Sequence, residues 1–232
     1  MVCRERRATC YLLPATYNFP QTMTQILQLP LGPIQTNCFV VGDDETKDAV
    51  VIDPGWDAPR VLAALNQRQW QLRHVLLTHA HFDHLGAVAD LVAATGAPLA
   101  LHPLELPLMR HLGGAEAFGF SIRPCPEPDV LLQEGQMIEA GQMRFKVLFV
   151  PGHTVGHVAF HEAQAKAVFS GDVLFRDGIG RTDFPGSDYD TLMHSIRNVL
   201  FALPDDTVVY PGHGTATTIG AERAGNPFLA DL

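Results

Sequence analysis

An α/β architecture, with two β-sheets packed together and helices outside them, is what this chain of 232 residues calls for. Three features lead there. Apolar strand-like segments alternate with amphipathic helical ones up to about residue 112, a run of β segments follows, and helical periodicity then returns around a last strand. Hydrophobic residues make up 47% and charged residues 18%, a balance that belongs to a globular chain with a buried core and not to a disordered one.

The elements follow from local chemistry. Residues 26–29 and 38–41 read as strands, and 50–53 as a third that Pro54-Gly55 closes. Asp57 is placed to cap a helix over 58–69, with Pro59 in its first turn and Val61, Leu62 and Leu65 on one face. A short apolar strand over 74–77 precedes a helix over 86–95, which Gly96 ends. A strand at 98–101 and a helix at 103–112 come next, and the Gly- and Pro-rich stretch 113–128 predicts a mobile loop. The β run covers 136–139, 143–150, 157–161 and 167–170. Residues 188–203 form an amphipathic helix with Leu192, Ile196, Val199 and Leu200 on one face; 207–210 is the last strand and 217–224 a short last helix.

The formal net charge of -9 repels a nucleic-acid backbone, so no nucleic-acid partner is expected. No apolar run approaches the ~18 residues of a membrane span, so no membrane association is expected either. Cys3, Cys10, Cys38 and Cys125 lie far apart with no CxxC pair and read as unpaired thiols of a reducing, cytoplasmic compartment. Arg4, Arg6 and Arg7 precede a short stretch broken by Pro14, too weakly apolar for a signal peptide. Residues 1–22 are therefore expected to be a disordered tail or a misplaced start, and 23–232 a single domain.

The chemistry concentrates in Thr78-His79-Ala80-His81-Phe82-Asp83-His84. His79 and His81 are two apart, so in an extended segment both project to one side and reach one ion at about 2.0–2.1 Å. Asp83 and His84 fall on the turn into the next helix, where they can face a second ion. One turn rarely carries three histidines without a metal. Three other turns share a context: an apolar strand ends in a small-residue turn that carries a candidate ligand. They are Pro151-Gly152-His153, Gly171-Asp172 and Pro211-Gly212-His213. Strand ends along one edge would deliver all of these ligands to one cleft. Two divalent ions bring +4, while Asp83, Asp172 and a bridging hydroxide bring -3; the residual positive charge suits an anionic oxygen or a tetrahedral oxyanion.

HxHxDH followed by a distant His, Asp and His resembles the metallo-β-lactamase superfamily from about Met23 onward. That resemblance implies a four-layer αββα sandwich of two mixed sheets flanked by helices. It implies one metal held by His79, His81 and His153, a second by Asp83, His84 and His213, and Asp172 bridging both. Zinc is the first expectation, with iron or manganese also suited. Asp53, below the site, would orient a ligand, and Thr78, Thr154 and His157 would support the ligands from behind. The segments Gly152-His153-Thr154-Val155-Gly156-His157 and Gly171-Asp172-Val173-Leu174-Phe175 are similar to hydroxyacylglutathione hydrolases (glyoxalase II). The run Gly180-Arg181-Thr182-Asp183-Phe184-Pro185 is closer to the compact, single-domain members of that group, and persulfide dioxygenases share it. The chain ends soon after His213, so the C-terminal helical domain of larger glyoxalase II enzymes is not expected, which leaves the thiol carrier open.

The resemblance implies a metallohydrolase in which a metal-bridging hydroxide attacks a thioester such as S-lactoylglutathione. Asp83 and Asp172 are then the catalytic carboxylates, and Arg181 is a substrate-binding residue for a carboxylate of the carrier. A salt bridge from Arg181 to Asp183 or Asp177 is the competing reading. Trp56 and Phe184 are candidate cleft walls or plain packing. The alternative activity is sulfur oxidation on a single non-haem iron held by a set such as His79, His153 and Asp172. Phosphodiester or lactone hydrolysis is compatible with the same ligands, whereas a binding module without catalysis would tolerate eroded ligands, and all seven are intact.

Overall fold

Strand β2 (Thr36–Asp43) is buried along its whole length. Its side chains alternate: Phe39 and Val41 join one apolar cluster, Cys38 and Val40 another. A strand covered on both faces has to lie between a second sheet and a helical layer. The computed structural model describes residues 24–230; the tail expected over 1–22, with Cys3 and Cys10, lies outside the described residues.

Two six-stranded sheets supply the inner layers. In the first, β1 (Thr24–Leu31), β2 and β3 (Asp48–Ile52) pair antiparallel, and β4 (Gln71–Leu76), β5 (Leu99–Leu101) and β6 (Val130–Leu131) continue in parallel. The second runs β14 (Thr217–Thr218), β13 (Val208–Pro211), β10 (Ala167–Gly171), β9 (Val158–Glu162), β8 (Met143–Phe149), β7 (Met137–Ala140). Only its β10–β13 pair is parallel. Phe39, Ile52 and Leu76 of the first sheet meet Phe145, Phe160 and Phe169 of the second. Phe39 and Phe169 touch edge to face, with centroids 5.2 Å apart.

Helices cover the outer faces. Val61 and Leu65 of α1 (Ala58–Arg68) pack on Val40 and Val51, and Leu85 of the short α2 (Phe82–Leu85) and Val88 of α3 (Val88–Thr95) pack with Val75 and Leu99. On the other side, Leu192 and Ile196 of α5 (Tyr189–Asn198) cover Val168 and Val209. The fold is therefore an αββα sandwich of two mixed sheets, as expected. Among the described residues, no helix is long and apolar enough to cross a membrane.

Several local expectations give way. Asp57 adopts a left-handed backbone, φ 54°, instead of the extended conformation from which a side chain caps, and its carboxylate makes no cap hydrogen bond. The helix expected over 103–112 splits into a 3₁₀ turn at Pro103–Glu105 and a short helix α4 (Leu106–Arg110), because Pro107 supplies no N–H. The stretch expected as a loop contains 3₁₀ turns over Leu112–Phe118, and stacking of Phe118 and Phe120 on Phe82 holds it to the body. The helix expected over 188–203 ends at Asn198 and continues as a 3₁₀ turn at Leu200–Ala202. Strands β6 and β14 and the hairpin of β11 (Leu174–Phe175) with β12 (Gly178–Ile179) are two residues long each, too short to show a period in sequence.

Removal of a ring from the centre of the sandwich is expected to be costly. Phe39→Ala should lower unfolding free energy by about 3–5 kcal/mol. Denaturant titration would show this as a lower midpoint with an unchanged slope.

Candidate metal centre

Four chain segments leave their strands at the same edge of the sandwich. The Thr78–His84 turn follows β4, the 151–157 loop follows β8, Asp172 follows β10, and Gly212-His213 follows β13. The backbone ties these segments together. Val158 N–H donates to the Thr78 carbonyl at 2.9 Å, and Gly212 N–H to the Gly171 carbonyl at 2.8 Å. Asn37, at the mouth of β2, donates its backbone N–H to Gly212 at 2.7 Å and its side-chain amide to Pro211 and Gly214, both at 2.9 Å. A side chain at Gly212 would overlap the Asp172 carboxylate, and one at Gly55 would overlap the Asp83 carbonyl; both contacts require glycine.

Within this edge, the described residues contain three sets whose donor atoms lie within 4.8 Å of one another: His79, His81 and His153; His79, His84 and Asp172; Asp83, His84 and His213. All seven expected ligands are therefore adjacent. His81 Nδ1 is 3.0 Å from both His79 Nε2 and His153 Nε2. His84 Nε2 lies 3.6 Å from Asp83 Oδ2 and 3.5 Å from Asp172 Oδ1, and His213 Nε2 lies 3.2 Å from Asp83 Oδ2 and 3.5 Å from Asp172 Oδ2.

The outer hydrogen bonds set the tautomers. His153 Nδ1–H donates to the Arg181 carbonyl at 2.9 Å, so the lone pair of Nε2 faces inward. Thr78 Oγ–H donates to Asp53 Oδ2 at 2.7 Å and accepts from His79 Nδ1 at 3.0 Å, which turns the lone pair of His79 Nε2 to the same point. Asp53 also accepts the Thr78 N–H at 2.8 Å and His84 Nδ1–H at 3.0 Å. Asp53 thus reaches His84 directly and His79 through Thr78. His84 Nε2 and Asp172 Oδ1 are buried and have no hydrogen-bond partner. Lone pairs converging without intervening hydrogens, beside two orphaned buried polar atoms, fit cations.

His157 makes no inward contact. Its Nε2 accepts the Asp172 N–H at 3.1 Å, and its ring stacks on His79 with centroids 4.6 Å apart. Thr154 differs from Thr78, because its buried hydroxyl reaches no ligand. Two supports were not anticipated. Thr36 donates its hydroxyl to Asp83 Oδ2 at 2.7 Å, and buried Glu105 accepts the Ala80 N–H at 2.9 Å. A lone acid among the leucines and prolines of 103–108 was the available signal for Glu105; Thr36 had none.

A cleft of about 160 Å³ opens over the cluster, with Ile34, Phe82, Phe118, Arg181 and Phe184 around it. Arg181 lies over the Phe184 ring at 3.9 Å and forms a two-pronged bond to Asp183, 2.6 Å on each prong. The structure therefore contains the salt bridge that competes with carboxylate binding. Trp56 is not in the cleft wall; it packs edge-on against Phe82 and Phe120.

The charges are unevenly distributed. Burial, and then the neighbouring imidazoles, hold His79 and His157 well below the ordinary range and bring His81 down to about 3. Burial also opposes charge on His84 and His213, but the carboxylates outweigh it. Asp83, Asp172 and Asp53 lift His84 well above its usual value, and hydrogen bonds to Asp172 and Asp83 lift His213 to about 9. The same contacts overcome burial at the acids, bringing Asp83 to about 2 and holding Asp172 well below the usual carboxylate range.

Residues 31–213 match the family model of the metallo-beta-lactamase superfamily. The chain belongs to that superfamily. Within it, this metallo-β-lactamase-fold chain is 42% identical over 204 residues to hydroxyacylglutathione hydrolase GloC of Haemophilus influenzae, covering 87% of this chain and 96% of that protein. Three solved structures are similar. The B3 metallo-beta-lactamase BLEG-1 has a TM-score of 0.82 at 40% identity, covering 89% of this chain and all of its own. TTHA1623 in a di-iron-bound form has 0.81 at 45%, covering 88% and 100%. ETHE1 from Myxococcus xanthus has 0.75 at 32%, covering 89% and 85%. The superfamily's metal-dependent hydrolase character and a His/Asp cluster suited to metal thus meet in one cleft.

Cations and protons compete for the second set of ligands. At neutral pH, His213 holds a proton that a divalent ion bound there would displace, and the carboxylates around His84 favour its charged form in the same sense, whereas burial keeps His79 and His81 neutral. Metal affinity should therefore rise with pH through the range in which His213 titrates, up to about 9. Calorimetry in buffers of different ionisation enthalpy should detect net proton release at pH 7; no release would contradict this charge pattern.

Proposed function

We propose that this protein is a dinuclear metallohydrolase that cleaves thioesters of small thiols, S-lactoylglutathione among them. The observation that carries this reading is the complete ligand set. His79, His81 and His153 would hold one ion, Asp83, His84 and His213 the other, and Asp172 would bridge them. The similarity to a named hydroxyacylglutathione hydrolase over 96% of that protein supports the choice of a thioester. Zinc suits the nitrogen-rich donors; the di-iron-bound form of a relative at 45% identity makes iron an equally concrete loading.

Two divalent cations at such a site supply Lewis acidity, which ionises water near neutral pH and polarises a carbonyl. The protein does the rest. Asp83 and Asp172 keep their negative charge to low pH, so both are available as anionic ligands throughout the working range. His153 and His79 are fixed in one tautomer by Arg181 and Thr78, so no reorganisation is needed as charge develops. Phe82, Phe118 and Phe184 give one side of the cleft an apolar, aromatic wall. Because Arg181 is engaged by Asp183, it acts on the carrier only through partial exchange of that pair. A reducing cytoplasm suits both a thiol product and the unpaired Cys38 and Cys125. Neither a nucleic acid nor a membrane is needed as a partner.

A second reading, oxygen-dependent oxidation of a persulfide on one iron held by His79, His153 and Asp172, draws on the Gly-Arg-Thr-Asp-Phe run at 180–184. Anaerobic assay of metal-loaded enzyme on S-lactoylglutathione separates the two. Hydrolysis without oxygen and with two metals per chain is expected. Oxygen consumption with one iron per chain would favour the other reading.

His81→Ala and Asp172→Ala should each lower kcat/KM by more than about 100-fold, beyond the cost of losing a mere supporting partner, with the fold retained by circular dichroism. Near wild-type rates in either would refute the ligand assignment. Arg181→Ala should raise KM by less than about tenfold, the scale of one solvent-exposed charge contact, and leave kcat unchanged.

A further inference from the structure

Two acids, Asp53 and Glu105, lie buried behind the candidate ligands. Asp53 orients His79, through Thr78, and His84. Glu105 is 1% exposed and comes from a different direction, at the end of the 3₁₀ turn that follows β5. Its Oε2 accepts the N–H of Ala80, the residue between His79 and His81, at 2.9 Å. Its Oε1 accepts the N–H of Gly156 at 2.7 Å. Gly156 lies in the loop that carries His153, and that residue has little room to move, because a side-chain carbon there would come within 2.9 Å of the Glu105 carboxylate.

One carboxylate therefore ties the turn leaving the first sheet to the loop leaving the second. These two segments carry His79, His81 and His153, the three nitrogens that converge on one point; the turn also leads to Asp83 and His84, but these lie past Ala80 on the short helix Phe82–Leu85, where Thr36 and Asp53 hold them. Neither segment carries Asp83's partner His213, which is positioned through Asn37 and the Thr36–His213 bridge. We infer that Glu105 is a positioning residue that sets the spacing of the three-histidine set selectively, so that cation affinity there depends on Glu105 and affinity at the Asp83–His84–His213 set does not. This rests on the two-cation reading above.

The chemistry requires a carboxylate in particular. Each oxygen receives one backbone N–H, and a glutamine offers one accepting oxygen and one donating NH₂ group. In Glu105→Gln, one of the two N–H groups faces another donor, and either the Ala80 side or the Gly156 side of the clamp opens. Loss of a partner that orients metal ligands typically lowers affinity about 10–100-fold.

The test is a Co(II) titration of the full-length, metal-stripped protein, followed by visible absorption and by bound metal per chain, with thermal unfolding in parallel. Wild type should take up two ions. Glu105→Gln should fold, bind one ion as wild type does and bind the other about 10–100-fold more weakly, with loss of the absorption from the three-histidine site. His213→Ala serves as the mirror control and should weaken the opposite ion. If Glu105→Gln does not fold, Glu105→Asp, which keeps both accepting oxygens one methylene shorter, is read in the same way and should weaken the same ion. Wild-type binding of both ions by the folded variant, or equal weakening of both, overturns the role of Glu105 while leaving the two-cation site standing. Uptake of fewer than two ions by the wild type overturns both.

Discussion

Asp172 is where the two sheets need each other. It leaves the second sheet, yet its carboxylate lies 3.5 Å from His84, which belongs to the first, and 3.7 Å from His153 and 3.5 Å from His213 of its own. No sheet alone could surround a buried carboxylate with that many nitrogens. The phenylalanine layer between the sheets fixes the distance at which their edges face one another, and so fixes this junction. Burial makes the arrangement strict, because each donor and acceptor in the cleft must be satisfied by another group brought there by the fold.

The supporting shell solves that problem with backbone and acids. Asp53 and Glu105 receive N–H groups from the segments that bear ligands, Thr36 serves Asp83, and His157 serves Asp172 through its N–H. Outward nitrogens of His79 and His153 are bonded before any ligand arrives. Preorganisation of this kind lets a shallow, partly aromatic cleft serve a charged reaction centre. The cleft rim is joined to the same scaffold: the Arg181 carbonyl holds His153, and the Phe184 ring lies edge-on to His81 and His153, while the Arg181 side chain turns away to Asp183.

Much of this was legible in the chain, for identifiable reasons. The HxHxDH turn and the three strand-to-glycine turns are local patterns whose meaning does not depend on distant contacts. The strands read at 38–41 and 143–150 and the apolar face of 188–203 likewise survive in the fold because burial enforces them. Asp57 was misread as a cap because capping depends on a backbone angle, and here the chain bends through left-handed residues at Asp53 and Asp57. The two-residue strands escaped notice because they carry no period. Thr36 and Glu105 escaped because their partners lie 47 and 25 residues away.

The sequence alone thus determined which side chains are candidate ligands and roughly which segments carry them, since ligand chemistry and hydrophobic periodicity are written in residue identity and short-range spacing. Only the tertiary structure decided which nitrogens face inward, which acids brace them, and that Arg181 is already engaged. Those outcomes depend on distances and hydrogen-bond directions between segments far apart in the chain, and these exist only once two sheets have packed.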